Sequence, residues 1–283
     1  MSLALGHALA GVVGGVVSTT ATYPLLVTTN RLQTVRRNAG ATGEVVKGYE
    51  NTLEAFKTIL GEGFSSLYAG YESAVIGTAY SNAVYYYLYQ FLNEMATHLT
   101  QHRPLHLIDN IAVAALSGAA TAVASNPIWV VNTRASLEAK AGRRKGLLET
   151  LIEMVKKEGV SSLFAGVLPA LILVTNPVIN YVLFERIQIA IKAKRLNPWQ
   201  LFVVSLFTKA VAAFVTHPYL VIKTRMQAAK SQSDAGVMHL LSTTLREEGI
   251  AGLFAGISTK LVHSVLTSAL LFLIKDQTTS FSI

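Results

Sequence analysis

The chain has 283 residues, of which 51% are hydrophobic and only 14% charged, and its mean hydropathy is +0.42. Because an ordinary soluble domain carries roughly 25% charged residues, this composition indicates a membrane protein. The lack of cysteine excludes disulfides, thiolate metal sites and cysteine nucleophiles. A net charge of +8 favours an anionic partner, which is nucleic acid, anionic lipid or a polyanionic solute.

Six windows with almost no acidic or basic side chains follow one another along the chain, and each is a candidate membrane span. They are Ser2–Asn30, Ser73–Asn93, Asn110–Thr133, Val167–Phe184, Leu196–Ile222 and Leu261–Ile274. Since a helix needs about 20 mostly apolar residues to cross a bilayer, we predict an all-α membrane protein with six transmembrane helices. The fifth span contains Lys209, and the sixth requires Lys260 inside the membrane. The first residues do not have the pattern of a secretory signal peptide.

Two motifs recur three times in the same order, which predicts three internal repeats. The first motif is "YPLLVTTNRLQ" from Tyr23, "NPIWVVNTRASLE" from Asn126 and "HPYLVIKTRMQ" from His217. The second is "EGFSSLYAG" from Glu62, "EGVSSLFAG" from Glu158 and "EGIAGLFAG" from Glu248. We predict one domain over residues 1–283, with repeats at approximately 1–100, 101–195 and 196–283.

Each repeat reads as a proline-containing span, a polar segment with a short amphipathic helix, and a second span. The short helices are expected near Asn51–Leu60, Gly146–Lys157 and Ala235–Arg246. The three equivalent prolines are Pro24, Pro127 and Pro218. Because proline in a helix interior removes a hydrogen bond and kinks the helix, three kinks in register predict a hinge that closes one side of the molecule.

These motifs resemble the mitochondrial carrier family. Its signature is P-x-[DE]-x-x-[KR]-x-[RK]-x-Q, followed by [DE]-G-x-x-x-x-aromatic-[KR]-G, three times over. The resemblance covers the chain from about Gly6 to Lys275. It implies six tilted helices in a pseudo-threefold barrel around a central cavity, with a gate of charged residues on each face.

The chain departs from this signature at both gates. The acidic positions of the first motif hold Leu26, Trp129 and Leu220, and their basic partners are Thr29, Asn132 and Lys223. We therefore predict that apolar plugs and hydrogen bonds replace the salt-bridge ring. The signature glutamine is kept as Gln33 and Gln227 but is Ser136 in the second repeat. At the opposite gate only Glu185 and Lys275 offer a charge pair.

Several segments are similar to the peroxisomal adenine nucleotide carriers of this family, a group that includes the fungal PMP47-like membrane proteins. They are "NPIWVVNTR", "LVTNPVINYVLFE" from Leu173, "SLYAG" and the lysine of "FTKAVA". The resemblance implies exchange of cytosolic ATP for lumenal AMP across the peroxisomal membrane, where ATP activates fatty acids for β-oxidation. The alternatives are a carrier of NAD, CoA or FAD in the peroxisomal or mitochondrial inner membrane, or a membrane scaffold that transports nothing.

Charges within the spans indicate where an anionic substrate binds. A charged side chain in the bilayer interior is costly and usually faces a cavity, which singles out Lys209 and Lys260. His263 lies three residues after Lys260 and therefore on the same helix face. Lysine binds phosphate as a compact point charge. The alternative is that these lysines extend to the membrane interface or pair with lipid phosphate.

The family resemblance places the adenine against span four and predicts which positions line the cavity. It implies Gly77, the Leu173–Val174 pair and His263 as cavity-lining positions. Polar and stacking contacts are expected from Thr175, Asn176, Asn180 and Tyr181, whose alternative role is hydrogen bonding between helices. At most two of Tyr85, Tyr86, Tyr87 and Tyr89 can face the cavity. The arginines at the end of the first motif are expected to collect phosphate, or else to contact carbonyls or lipid: Arg31, Arg134 and Arg225.

Other functional classes are less compatible with the chain. We find no phosphate loop, metal cluster or nucleophile triad, so neither an enzyme nor a bound cofactor is expected. Six apolar spans exclude a soluble nucleic-acid binder, and a monomer is expected. Most of the 24 lysines and arginines lie in the polar segments, which the positive-inside rule would place in the cytosol. The family resemblance instead places these segments in the organelle lumen, and we follow it.

Overall fold

A computed structural model describes residues 2–34, 49, 51–100, 106–138, 146–191, 197–229 and 236–267. In these ranges the chain forms helices and turns without a β-strand, which confirms the all-α prediction. The helices are α1 (Ser2–Thr34), α2 (Thr52–Gly61), α3 (Tyr71–Leu99), α4 (Leu107–Glu138), α5 (Leu147–Glu158), α6 (Val167–Leu173), α7 (Thr175–Ile191), α8 (Pro198–Ala228), α9 (Val237–Leu253) and α10 (Ile257–Thr267). Short 3-10 turns at Phe64–Tyr68 and Val160–Phe164 precede α3 and α6.

The six predicted spans correspond to α1, α3, α4, the α6–α7 pair, α8 and α10. Within the described residues, three helical stretches are both long and apolar enough to cross a membrane: Ile108–Leu137, Val160–Ile191 and Trp199–Ala228. A fourth is added if α9 and α10, which are bent by 47° at their junction, count as one span. At about 1.5 Å per residue, α1 and α3 extend over about 50 and 44 Å, which exceeds a hydrocarbon core of about 30 Å.

Each repeat contains the predicted short surface helix, and a glycine ends it in the same way. The helices α2 and α5 are followed by Gly63 and Gly159, whose φ angles are 115° and 81°. In the third repeat Gly249, with a φ of 69°, leaves the helical conformation inside α9. Because a side chain disfavours positive φ, glycine allows the same sharp turn three times. The prediction of three amphipathic surface helices is confirmed.

The fourth span is interrupted at Val174, where α6 ends and α7 begins. Pro177 has no backbone N–H and cannot donate to the carbonyl of Leu173. The Thr175 hydroxyl instead donates to the Ile172 carbonyl at 2.7 Å. By contrast, α1, α4 and α8 each continue through their internal proline.

Candidate functional site

A side chain immediately before each proline joins the first span of a repeat to its second motif. The bonds run from Tyr23 Oη to the Ala69 carbonyl (2.9 Å), from Asn126 Nδ2 to the Ala165 carbonyl (3.0 Å) and from His217 Nε2 to the Ala255 carbonyl (3.0 Å). All three donor side chains are buried. These bonds were not predicted from the sequence, since tyrosine, asparagine and histidine share no pattern beyond their place before proline.

The three arginines of the first motif form ion pairs with the glutamates of the second motif. The pairs are Arg31 with Glu62, Arg134 with Glu158, and Arg225 with Glu248. The guanidinium groups are buried, and those of Arg134 and Arg225 also donate to carbonyls of the next repeat. Of the roles that the sequence left open for these arginines, the described residues therefore show the contact with carbonyls for Arg134 and Arg225.

The signature glutamines connect neighbouring repeats at the ends of α1, α4 and α8. Gln227 accepts a bond from the Thr133 hydroxyl at 3.0 Å, and Gln33 accepts one from the Thr224 hydroxyl at 2.9 Å. Ser136, at the third such position, bonds within its own helix to the Thr133 carbonyl. At this junction Arg31 Nε and Nη2 are buried and have no hydrogen-bond partner among the described residues. Two of the three junctions therefore have a threonine–glutamine hydrogen bond between repeats, and the junction at Ser136 lacks it.

The glycine that ends each second motif packs on the first span of the next repeat. A Cβ added to Gly70, Gly166 or Gly256 would approach a backbone oxygen, respectively of Asn132 at 3.2 Å, Lys223 at 3.0 Å and Thr29 at 3.4 Å. The three glycines have φ angles of 75°, 76° and 74°. We call Thr29, Asn132 and Lys223 the ring layer, because equivalent positions meet the neighbouring repeat there.

The predicted apolar gate residues lie beside this layer. Leu26 packs against Tyr23 and its buried neighbours, and Leu220 is partly buried. Trp129 donates through Nε1 to the Ser81 hydroxyl at 3.2 Å, and its ring covers Gly77, which is buried. Gly77 thus packs against α4 in this state.

At the opposite gate, Glu185 lies partly buried in α7. Its expected partner Lys275 lies outside the described residues, so the proposed charge pair stays a prediction.

Four basic side chains of the third repeat lie along α8 and α10. Lys260 lies within electrostatic reach of both Lys209 and Lys223, and His263 lies within electrostatic reach of Lys260 and Lys209. Among the described residues, neither Lys223 nor Lys260 forms an ion pair. We call Lys209, Lys223, Lys260 and His263 the cationic cluster. The sequence placed three of these residues in the substrate site and Lys223 in the gate.

A largely apolar cavity of about 850 Å³ lies between α3, α4 and the α6–α7 break. Its walls include Tyr85, Tyr89, Val174, Pro177 and Tyr181. The Tyr85 and Tyr89 rings are stacked, with centroids 5.9 Å apart and planes inclined by 26°. Such a wall suits a flat aromatic base, whose π face can stack on an aromatic ring.

The polar residues of span four have separate positions. Asn176 donates to the Thr216 hydroxyl at 2.7 Å and thereby connects α7 to α8, which is the helix–helix role left open by the sequence. Asn180 Oδ1 is buried and accepts no bond from the described residues. Tyr181 and Val174 line the apolar cavity, and their role in substrate binding stays a prediction.

Three helix-pair repeats, joined in a ring by contacts between neighbouring repeats, define an all-α membrane carrier. The chain belongs to the mitochondrial carrier family, since the family model described as mitochondrial carrier protein matches residues 2–99, 103–195 and 194–283. It is 34% identical to mitochondrial substrate carrier family protein Q of Dictyostelium discoideum, over 97% of this chain and 87% of the relative. It is 31% identical to the peroxisomal nicotinamide adenine dinucleotide carrier of Arabidopsis thaliana, over 98% and 96%. It is 29% identical to peroxisomal adenine nucleotide carrier 1 of Glycine max, over 96% and 90%.

Proposed function

We propose that the protein is an antiporter that exchanges ATP for AMP across the peroxisomal membrane by alternating access. The observation that carries this proposal is the cationic cluster, which concentrates three lysines and a histidine in one repeat. A nucleotide phosphate chain supplies the negative charge that such a cluster favours. The function of two relatives, named as carriers of adenine nucleotides and of nicotinamide adenine dinucleotide, supports the same substrate class.

The apolar cavity supports a role in binding the adenine base. Its stacked tyrosines and the Val174–Pro177 wall offer aromatic and apolar contact, whereas the cationic cluster offers charge. The helix α7 lines the cavity and is bonded to α8, which carries Lys209, through Asn176 and Thr216. The two halves of a nucleotide thus have chemically different binding regions on adjoining helices.

The contacts between repeats support alternation between two closed faces. The described structure is held at the ends of α1, α4 and α8 by hydrogen bonds and glycine contacts, with no charge pair inside the ring layer. The Arg134 and Arg225 guanidinium groups also donate to carbonyls across these contacts. Because the ring layer contains no ion pair, opening it does not require the separation of opposite buried charges. Rocking of repeats around a central site is a known transport mechanism. Because one chain supplies all three repeats, we propose that the monomer is the transporting unit.

The peroxisomal location rests on relatives whose names place them there, and other relatives are named for mitochondria or chloroplasts. In a peroxisome, ATP entry would supply fatty-acid activation. Localisation of the tagged full chain against peroxisomal and mitochondrial markers tests this assignment, and a purely mitochondrial signal would overturn it.

The activity is tested with purified protein in liposomes preloaded with AMP. External ATP is expected to enter in exchange for AMP, while empty liposomes remain inactive. NAD, CoA and FAD are scanned in the same assay, and NAD is the second candidate because of the 31% identical relative. Exchange of NAD without ATP would replace the proposed substrate. Absence of exchange with all four compounds would favour the scaffold alternative.

Substitution of Lys209 tests the site. Lys209→Ala removes a charge of the cationic cluster, so ATP uptake is expected to fall by about tenfold or more, the effect of losing a charge-assisted contact. Lys157→Ala is the matched control, because Lys157 is exposed and paired with Glu153 on a surface helix. Thermal unfolding monitors the fold of both variants. Unchanged uptake by folded Lys209→Ala protein would contradict a role for this lysine in binding.

A further inference from the structure

The three ring-layer residues differ in whether the protein satisfies their side chains. The Thr29 hydroxyl donates to the Leu25 carbonyl at 2.7 Å. The Asn132 amide donates to the Gly70 carbonyl at 2.8 Å and to the Ser73 hydroxyl at 3.0 Å. The Lys223 ammonium has neither a hydrogen bond nor an ion pair with any described residue. The third repeat therefore presents a charge where the other two repeats present satisfied neutral groups.

No carboxylate of the ring can neutralise this charge. The acidic positions of the motif are Leu26, Trp129 and Leu220, and the nearby glutamate Glu248 is already bonded to both terminal nitrogens of Arg225. An ammonium held in a partly buried position without a counter-charge is costly. Because the described residues leave Lys223 without a counter-charge, an anion bound from outside the protein can supply it.

The position of Lys223 relative to the other lysines indicates which part of a substrate reaches it. Lys260 lies one helical turn from Gly256, which packs on the ring layer at Thr29, and its charge acts on Lys223. Lys209 lies 14 residues before Lys223 on α8, or about 21 Å along the helix axis. The cations therefore form a row that ends at the ring layer.

We propose that Lys223 binds the phosphate furthest from the nucleoside and gives the site its preference for a long phosphate chain. This inference rests on the proposed function. A monophosphate offers one phosphorus group, which Lys209 or Lys260 can bind alone. A triphosphate offers three groups in sequence and reaches Lys260 and Lys223 together. Lys223 thereby acts as a specificity residue inside the gate, and the charge of an arriving triphosphate replaces the absent carboxylate.

The test is Lys223→Asn, which installs the residue that the second repeat has at the equivalent position, Asn132. Competition by ATP and by AMP against labelled AMP exchange gives the apparent affinity of each nucleotide. The affinity for ATP is expected to fall about tenfold, equivalent to about 1.4 kcal/mol, and the affinity for AMP to fall much less. Lys157→Asn is the surface control, and Lys223→Arg, which keeps the charge, should retain the preference for ATP.

Equal losses for ATP and AMP, or no loss for either, would overturn the inference while leaving the proposed function intact. A second measurement separates the two claims if the wild-type protein exchanges no adenine nucleotide. Inorganic tripolyphosphate should raise the unfolding temperature of the wild type more than orthophosphate does, and this difference should vanish in Lys223→Asn. A difference that persists in folded Lys223→Asn protein would also overturn the inference.

Discussion

Replacing Glu248 with glutamine removes the counter-charge of the most buried arginine–glutamate pair. The Glu248 side chain is 2% exposed, against 22% for Glu62 in the equivalent pair of the first repeat. Glu248 accepts bonds from Arg225 Nη1 at 2.6 Å and Nη2 at 2.9 Å, whereas Glu62 accepts one bond from Arg31. The same substitution at the two positions therefore compares a buried two-bond pair with a more solvated one-bond pair.

The structure sets the expected size of the two effects. Breaking a buried ion pair by removing one partner costs about 3 kcal/mol or more, because the remaining charge is left buried. Arg31 is as buried as Arg225, but Glu62 is 22% exposed, so water already screens its pair with Arg31 and the loss of this pair is expected to cost about 1 kcal/mol. At about 2–4 °C per kcal/mol, Glu248→Gln should lower the unfolding temperature by about 6–12 °C and Glu62→Gln by about 2–4 °C.

The assay is thermal unfolding in detergent, followed by tryptophan fluorescence. The chain contains two tryptophans and no cysteine, so intrinsic fluorescence is a suitable probe. Glu158→Gln, whose side chain is 17% exposed in the native pair, should fall between the two variants. A loss for Glu62→Gln that equals or exceeds the loss for Glu248→Gln would refute the reasoning, since burial would then not determine the strength of these pairs.

Two further substitutions test the contacts that hold the repeats together. Gly166→Ala forces a side chain into a positive-φ position 3.0 Å from the backbone oxygen of Lys223, and should cost about 1–3 kcal/mol. Gly146→Ala, which meets open space, should leave the unfolding temperature unchanged, and an equal loss in both would contradict the packing argument. Tyr23→Phe removes the donor to the buried Ala69 carbonyl and should cost about 1–2 kcal/mol, so an unchanged unfolding temperature would exclude that bond as a stabilising contact.

The fold could be predicted from the sequence to a large extent because its signals are local and repeated. The apolar windows mark the spans, and the recurrence of proline and E-G motifs marks the repeats. The short surface helices follow from amphipathic segments with a glycine at their ends. The interruption at Val174 lies close to the Leu173 carbonyl, which Pro177 deprives of its helical donor, whereas the same loss at Pro24, Pro127 and Pro218 does not interrupt α1, α4 or α8.

The contacts of the candidate site were only partly predictable, because they depend on which repeats become neighbours. Lys209 and Lys260 stand out as charges in apolar windows, and the structure brings them together. The arginine–glutamate pairs join two motifs that are individually visible in the sequence, yet nothing in their spacing shows that one neutralises the other. Lys223 matched a gate position of the family pattern, and only its lack of a partner among the described residues suggests a different role.

The ring layer has three contacts between repeats, which we call seams. At two of them the repeats in contact also follow each other along the chain, whereas at the third they do not. Gly70 meets α4 and Gly166 meets α8 in the order of the sequence, whereas Gly256 returns to α1 and closes the circle. In the terms used for oligomers, this is a head-to-tail cyclic trimer encoded in one polypeptide. Its assembly depends on the cyclic order of the repeats and not on which repeat comes first, so circular permutation at a junction between repeats would conserve every seam.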